Sequence, residues 1–386
     1  MTQAPKLKIL HVITGLDRGG AETMLWSLLS RGARDRFAPT VISLTDIGPV
    51  GDRIRELGIP VLALGMPRGR VTLRGMGRLI RRIRELDPDV MQGWMYHANV
   101  LGGIAARLAG RTPVLWGIHH AAIDSARMKR STIWTIRVAG WLSSWASDWI
   151  VYCAEEARRV HHALGYARRD EVIANGFDMA RFQPDPESRR AVRAELGIPE
   201  DSPLIGLVAR LDPLKDHATF LAAAALLRER RPHVHFLLCG EGITPEAPQF
   251  REAAEGVALD GHYHLLGRRE DVPRLQAALD IATSASVAEA FPLAIGEAMA
   301  CGVPCVVTDV GDSARLVGET GRVVPPRSPE ILARAWEALL DAPPSERERL
   351  GQAARRRVGE HFDILTIVAR YEALYTRASE RVRFDD

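Results

Sequence analysis

Short apolar runs bounded by turn residues alternate with stretches of helical periodicity along nearly the whole chain. This alternation restricts the fold more than any other feature. In the first half the runs are LKILHVI, APTVISL, IPVLAL, DVMQGW, PVLWGI and DWIVYC, with helices expected from about Ala21, over Leu73 to Leu86, and between the later runs. Strand then helix, repeated, is the pattern of a parallel sheet buried under helices on both faces. It predicts a Rossmann-like α/β domain whose ligands gather at the carboxyl ends of the strands. Dense Asn, Gly, Asp and Pro punctuation around residues 175 to 203 marks a change of domain, after which the run PLIGLVARL starts the pattern again. A chain of 386 residues is longer than one core usually serves. Two domains are expected, 1–175 and 176–363, with an amphipathic tail over about 364–386.

Bulk properties narrow the function classes. The formal net charge is only +3, which gives no reason to expect a nucleic-acid partner. The start, MTQAPK, runs straight into the first strand without a secretory core, and no stretch approaches about 18 uninterrupted apolar residues. The expectation is a cytoplasmic protein. Cys153, Cys239, Cys301 and Cys305 show neither metal spacing nor a disulfide framework and are expected as small core residues.

Polar residues stand out most in Ala288 to Val307, AEAFPLAIGEAMACGVPCVV. From Leu293 to Cys301 everything is apolar or small except Glu297, and Gly302 and Pro304 stop the helix. A carboxylate in a buried helix is costly without partners, and ligand hydroxyls would supply them. Glu289, on the entering loop, can address the same ligand near the helix N-terminus, whose free N–H groups suit a phosphate. The alternative is a solvated Glu289 and a Glu297 paired with an arginine from a neighbouring helix.

Other candidates sit at predicted strand ends. Gly19 and Gly20 lie in TGLDRGGAE, where they let a ligand approach the backbone or simply make a tight turn. The spacing is not the G-x-G-x-x-G of a dinucleotide site, which disfavours a dehydrogenase. His119 and His120 follow PVLWGI, where an imidazole can act as acid, base or hydrogen-bonding group, or be structural. His97 and Asn99 follow another strand. Arg210 and Lys215, in ARLDPLKDH, can clamp a diphosphate or stand as solvated loop residues.

Two further stretches suggest a surface. In LRGMGRLIRRIREL, Leu73, Met76, Ile80 and Ile83 form one expected apolar face, with Arg74, Arg78, Arg81, Arg82 and Arg84 elsewhere; such a helix is solvated or lies against anionic lipid. Trp134, Trp141, Trp145 and Trp149 recur at seven, four and four, expected as the buried side of a long helix.

The run E-A-F-P-L-A-I-G-E-A-M-A-C-G-V-P, with seven residues between Glu289 and Glu297, resembles the signature of retaining nucleotide-sugar glycosyltransferases of family four. G-G-A-E, the histidine after a strand, I-A-N-G-F-D, and the Arg and Lys pair follow that family's order along nearly the whole chain. Two positions depart from it: Ala174 stands where Pro is usual before Asn-Gly, and Ala290 where Gly is common. The resemblance implies a GT-B fold, two Rossmann-like domains with parallel sheets facing across a cleft and a final helix returning to the first. It implies that Glu297 takes the donor's ribose hydroxyls, Arg210 and Lys215 its diphosphate, and Glu289 with the backbone of Phe291, Pro292 and Leu293 its sugar. Gly19, Gly20, Gly240 and the Gly267-Arg268 loop complete the donor set. His119, Glu289, Arg210 and Lys215 form the catalytic set, and His97, Asn99, His120 and Glu22 the acceptor side. It further implies a UDP- or GDP-linked donor, a saccharide or lipid-linked acceptor, no metal or other cofactor, and work in bacterial surface polysaccharide synthesis, with peripheral contact at the inner face of a membrane compatible. A nucleotide-sugar epimerase of the same fold and a non-catalytic sugar-nucleotide-binding protein are the alternatives.

Overall fold

Seven strands form the first sheet: β1 (Leu7–Ile13), β2 (Phe37–Ser43), β3 (Val61–Ala63), β4 (Val90–Trp94), β5 (Val114–Ile118), β6 (Trp149–Tyr152) and β7 (Asp170–Val172). They are all parallel, in the order β3-β2-β1-β4-β5-β6-β7. Six form the second: β8 (Leu204–Val208), β9 (His235–Cys239), β10 (Tyr263–Leu265), β11 (Ile281–Ser284), β12 (Cys305–Thr308) and β13 (Arg322–Val324), again parallel, in the order β10-β9-β8-β11-β12-β13. This computed structural model describes residues 5–17, 19–121 and 130–384. The chain divides into two compact units, Met1–Gly176 with Ile364–Asp386, and Phe177–Asp363.

Strands covered by helices on both faces need no polar alternation, which is why β4, β5 and β9 read as continuous runs and are buried at every position. The order reverses between β1 and β4 in one sheet and between β8 and β11 in the other. Loops leaving neighbouring strands at such a switch point diverge to opposite faces and leave a crevice. The loops after β8 and β11 carry Arg210, Lys215 and Glu289.

The helix Ile364–Phe384 belongs to the first unit. Ile364, Ile367, Val368, Tyr371, Leu374 and Tyr375 join the core formed by β1, β2 and the helix Gly20–Arg31. Glu372 accepts a hydrogen bond from the Ala33 amide at 2.7 Å, and the Tyr375 hydroxyl donates to Gln92 Oε1.

The second unit is locked at the amino-terminal ends of its central strands by Asp280. Its carboxylate accepts hydrogen bonds from Arg189 (2.7 Å), Arg193 (2.6 Å) and the Leu204 amide (2.8 Å). Arg193, only 2% exposed, also donates through Nη1 to the carbonyls of Pro199 and Ser202.

The structure corrects three expectations. Residues 170–172, outside the six expected runs, add a seventh strand. The arginine-rich helix Leu73–Leu86 buries Gly75, Leu79 and Ile83, while Leu73 is fully out in solvent, so the apolar face is rotated from the predicted one. The tryptophan recurrence is not a buried helix face: Trp134, Trp141 and Trp145 are exposed on the helix Arg130–Ala146, and Trp149 lies on β6. The four cysteines are buried free thiols.

Candidate active site

In the second unit the loops after β8 and β11 are tied together. A 3-10 turn, Pro213–Lys215, follows β8; Asp212 caps it by accepting from the Leu214 amide at 2.9 Å. Asp216 then adopts the left-handed conformation (φ 49°), which costs roughly 1 kcal/mol for a residue with a Cβ. Its carboxylate offsets this by capping the next helix through Thr219 N and Oγ1. The sharp turn aims Lys215 at the other loop, where the Val287 amide donates to the Leu214 carbonyl.

Lys215 Nζ lies 2.5 Å from Glu289 Oε1, both side chains largely buried. Ser286 Oγ donates to the same oxygen at 2.8 Å, and the Ser286 carbonyl is held by Thr308 Oγ1 at 2.6 Å. Behind Glu289 stands Gly311 (φ 57°); a Cβ there would come within 2.2 Å of the Glu289 carbonyl oxygen. The carboxylate is therefore fixed by its own serine and by a close backbone approach, not by the lysine alone.

Helix Leu293–Ala300 begins beside this pair. Pro292 occupies its N-cap and no side chain caps it, so the first-turn N–H groups are left for a ligand. A pocket lined by Lys215, Ser286, Glu289 and Pro292 to Ile295 opens there. The Phe291 ring is buried against Phe177 and Phe362, which leaves only its backbone for a ligand. Gly296 makes room for Phe177: an added Cβ would stand 1.9 Å from that ring. One turn into the helix, desolvation pushes the Glu297 carboxyl up to about 7, with the charge of Arg181 pulling the other way. No hydrogen bond to that carboxylate is found among the described residues.

The remaining donor-side candidates converge on the same strand ends. Gly240 donates its amide to the Gly267 carbonyl at 2.8 Å, and a Cβ on Gly240 would strike the Ala209 carbonyl, next to Arg210. Arg210 is mostly exposed and forks onto Asp212 through two N–H groups. Such an exposed pair is weak and exchanges readily for a phosphate. Arg268 is turned to Glu270 in solvent.

In the first unit, Gly19 is the N-cap of helix Gly20–Arg31, and a Cβ on it would collide with the Glu22 carboxylate. His119 follows β5 and stacks on Trp94 with ring centroids 5.0 Å apart. Desolvation takes its pKa down to about 4, against a smaller opposing contribution from Asn175. The ring is neutral near pH 7, which among the expected roles favours a hydrogen-bonding group over a charged acid. His120 beside it is partly buried. His97 and Asn99 follow the carboxyl end of β4 directly, in the first turns of helix Met95–Ala109. Burial lowers the His97 pKa. Asn99 is fully buried and donates through Nδ2 to the Gly117 carbonyl at 3.0 Å, which braces β5.

Sequence reasoning missed Ser286, Thr308, Gly311 and Phe177 as supports of Glu289 and the helix. The only local signal was a serine three residues before the glutamate. Ser286→Ala is expected to lower kcat while leaving the fold intact, by roughly tenfold, since a hydrogen bond to a charged group is worth about 1.5–3 kcal/mol. Steady-state kinetics with a thermal melt separates the two effects.

Residues 18–181 match the model of Glycosyltransferase Family 4, and residues 202–342 that of Glycosyl transferases group 1. The chain belongs to glycosyltransferase family 4. Among relatives of this glycosyltransferase, the UDP-Gal:alpha-D-GlcNAc-diphosphoundecaprenol alpha-1,3-galactosyltransferase of Escherichia coli is 27% identical over 281 residues, 71% of this chain and 70% of its own. The D-inositol 3-phosphate glycosyltransferase of Geodermatophilus obscurus is 35% identical over 242 residues, 59% of this chain and 52% of its own. The crystal structure of Anabaena HepE in complex with UDP matches with a TM-score of 0.85 at 24% identity, covering 96% of this glycosyltransferase and all of HepE. That likeness establishes the fold as GT-B.

Proposed function

We propose that this glycosyltransferase moves a sugar, with retention of configuration, from a UDP- or GDP-linked donor to a saccharide or lipid-linked saccharide, in bacterial surface polysaccharide synthesis. The observation that carries the donor assignment is the Lys215–Glu289 pair at the uncapped start of the Leu293–Ala300 helix, with the Glu297 carboxyl, which takes no hydrogen bond from the described residues, one turn in. HepE has been crystallised with UDP and with UDP-glucose, and the Escherichia coli relative is named for a UDP-sugar and a lipid diphosphate acceptor. The inositol 3-phosphate enzyme keeps a small acceptor in view.

In this reading the donor diphosphate draws Lys215 away from Glu289 and Arg210 away from Asp212. Ser286 keeps its hold on Glu289, which is then free to accept hydrogen bonds from the sugar. Glu297 takes the ribose hydroxyls. The sugar's bond to the diphosphate oxygen breaks, the acceptor oxygen bonds to the anomeric carbon on the face being vacated, and the acceptor proton passes to a phosphate oxygen. Negative charge grows on the leaving diphosphate, so Arg210, Lys215 and the helix N-terminus stabilise the transition state more than the ground state. These groups carry that charge without a resident metal. His119, neutral, orients an acceptor hydroxyl.

A thermal-shift panel of UDP, GDP and ADP with their sugars tests the donor, since a ligand that binds only the folded state raises the melting temperature. Labelled donor with and without a saccharide acceptor then tests transfer; isomerised donor without acceptor, or binding alone, would overturn it. A pH signature follows from Glu297. Ribose hydroxyls need the carboxylate, which is roughly nine-tenths ionised one unit above a pKa of about 7 and one-tenth ionised one unit below. Donor kcat/KM is expected to fall about tenfold from pH 8 to pH 6, and Glu297→Gln to remove that slope.

A further inference from the structure

The Arg130–Ala146 helix turns three indole rings to solvent: Trp134 is 69% exposed, Trp141 80% and Trp145 52%. At 100° per residue, spacings of seven and four put all three within a sector of about 40°, in a row about 16 Å long. Its opposite side is the one that packs inward, through Ile136, Ala139, Gly140, Ser143 and Ala146. Single exposed apolar side chains are ordinary; a row of three tryptophans is a contact surface.

The surrounding charge says what contacts it. From Arg130 to Ala146 there is no carboxylate, and Arg137 is exposed beside the row. This helix packs on Met95–Ala109, which packs on Leu73–Leu86. The last of these carries five arginines against one glutamate, with Arg74, Arg81 and Arg84 exposed. The three are stitched at one end, where Arg107 donates to the Trp145 carbonyl and Arg84 to the Leu108 carbonyl, Leu108 itself being exposed. Indole rings favour the boundary between hydrocarbon and water, and clustered arginines favour anionic headgroups. A second copy meeting this face across a two-fold axis would set the arginines against each other.

We propose that these three helices dock the first unit on an anionic lipid bilayer, with Trp134, Trp141 and Trp145 seated at headgroup level and the arginines against lipid phosphates. The surface alone carries this, so its failure leaves the transfer reading untouched. The test is flotation of the full chain with phosphatidylcholine vesicles and with mixed phosphatidylcholine–phosphatidylglycerol vesicles, read together with tryptophan emission. The wild-type protein is expected to float with the mixed vesicles, with blue-shifted emission, and to be released by salt. The triple variant Trp134→Ser, Trp141→Ser, Trp145→Ser is expected to bind at least tenfold more weakly with an unchanged melting temperature, and Arg74→Gln with Arg81→Gln to weaken binding to the mixed vesicles selectively. Wild-type protein that stays unbound, or a triple variant that binds as well as wild type, overturns the proposal. A concentration-dependent dimer that the triple variant abolishes, without vesicle binding, reassigns the row to a second copy.

Discussion

Lys215→Ala should lower turnover by roughly 10²–10³-fold, the loss seen when one preorganised donor to a developing negative charge is removed, about 3–4 kcal/mol. Two effects add in this variant. The leaving diphosphate loses a cation delivered by the Pro213–Lys215 turn, and Glu289 loses the partner 2.5 Å from its carboxylate, so an unneutralised charge faces the incoming donor. Both raise the transition state and both weaken donor binding, the first more in the transition state than in the ground state because the charge on the leaving diphosphate is still growing. Lys215→Ala should therefore lower kcat more than it raises the donor KM, whereas Lys215→Ala combined with Glu289→Gln should recover part of the KM change without recovering kcat. Near-normal turnover in Lys215→Ala would remove the lysine from the chemistry.

Asp280→Ala should destabilise the second unit by about 3–5 kcal/mol, because Arg193 would be left charged in the interior without its paired carboxylate. For a unit of this size that lowers the melting temperature by roughly 10 °C. The residue precedes β11 at the end opposite the Glu289 loop, so protein that remains folded should keep its kcat. Combining Asp280→Ala with Arg193→Met should restore much of the stability, since the buried charge leaves with its partner. A melt unchanged by Asp280→Ala would show that Arg193 finds another anion.

What the sequence revealed and what it concealed divide along a physical line. Continuous burial gives parallel strands a signal one segment long, so the LKILHVI and PLIGLVARL runs were readable as the starts of two sheets. Glu297 was readable for the same reason, a charge where everything adjacent is apolar. The supports of Glu289 were not: Thr308 and Gly311 act across a sheet on a carbonyl, and nothing in their neighbourhood marks that contact. Helix orientation failed where composition was ambiguous. The tryptophans on Arg130–Ala146 are large and apolar, but Gly140, Ser143 and Ala146 are small enough to let the opposite side pack closely. Likewise a three-residue edge strand such as β7 is too short to show a period.

The return of the last helix to the first unit fixes an order of events during synthesis. Residues 177–363 are contiguous and can complete their core as soon as they emerge, whereas the half made first waits for Ile364, Ile367, Tyr371 and Leu374 to cover its apolar side. The portion of the polypeptide that leaves the ribosome earliest is thus the last to close, and a nascent chain stopped short of residue 364 would carry an open hydrophobic face that invites chaperones or proteolysis.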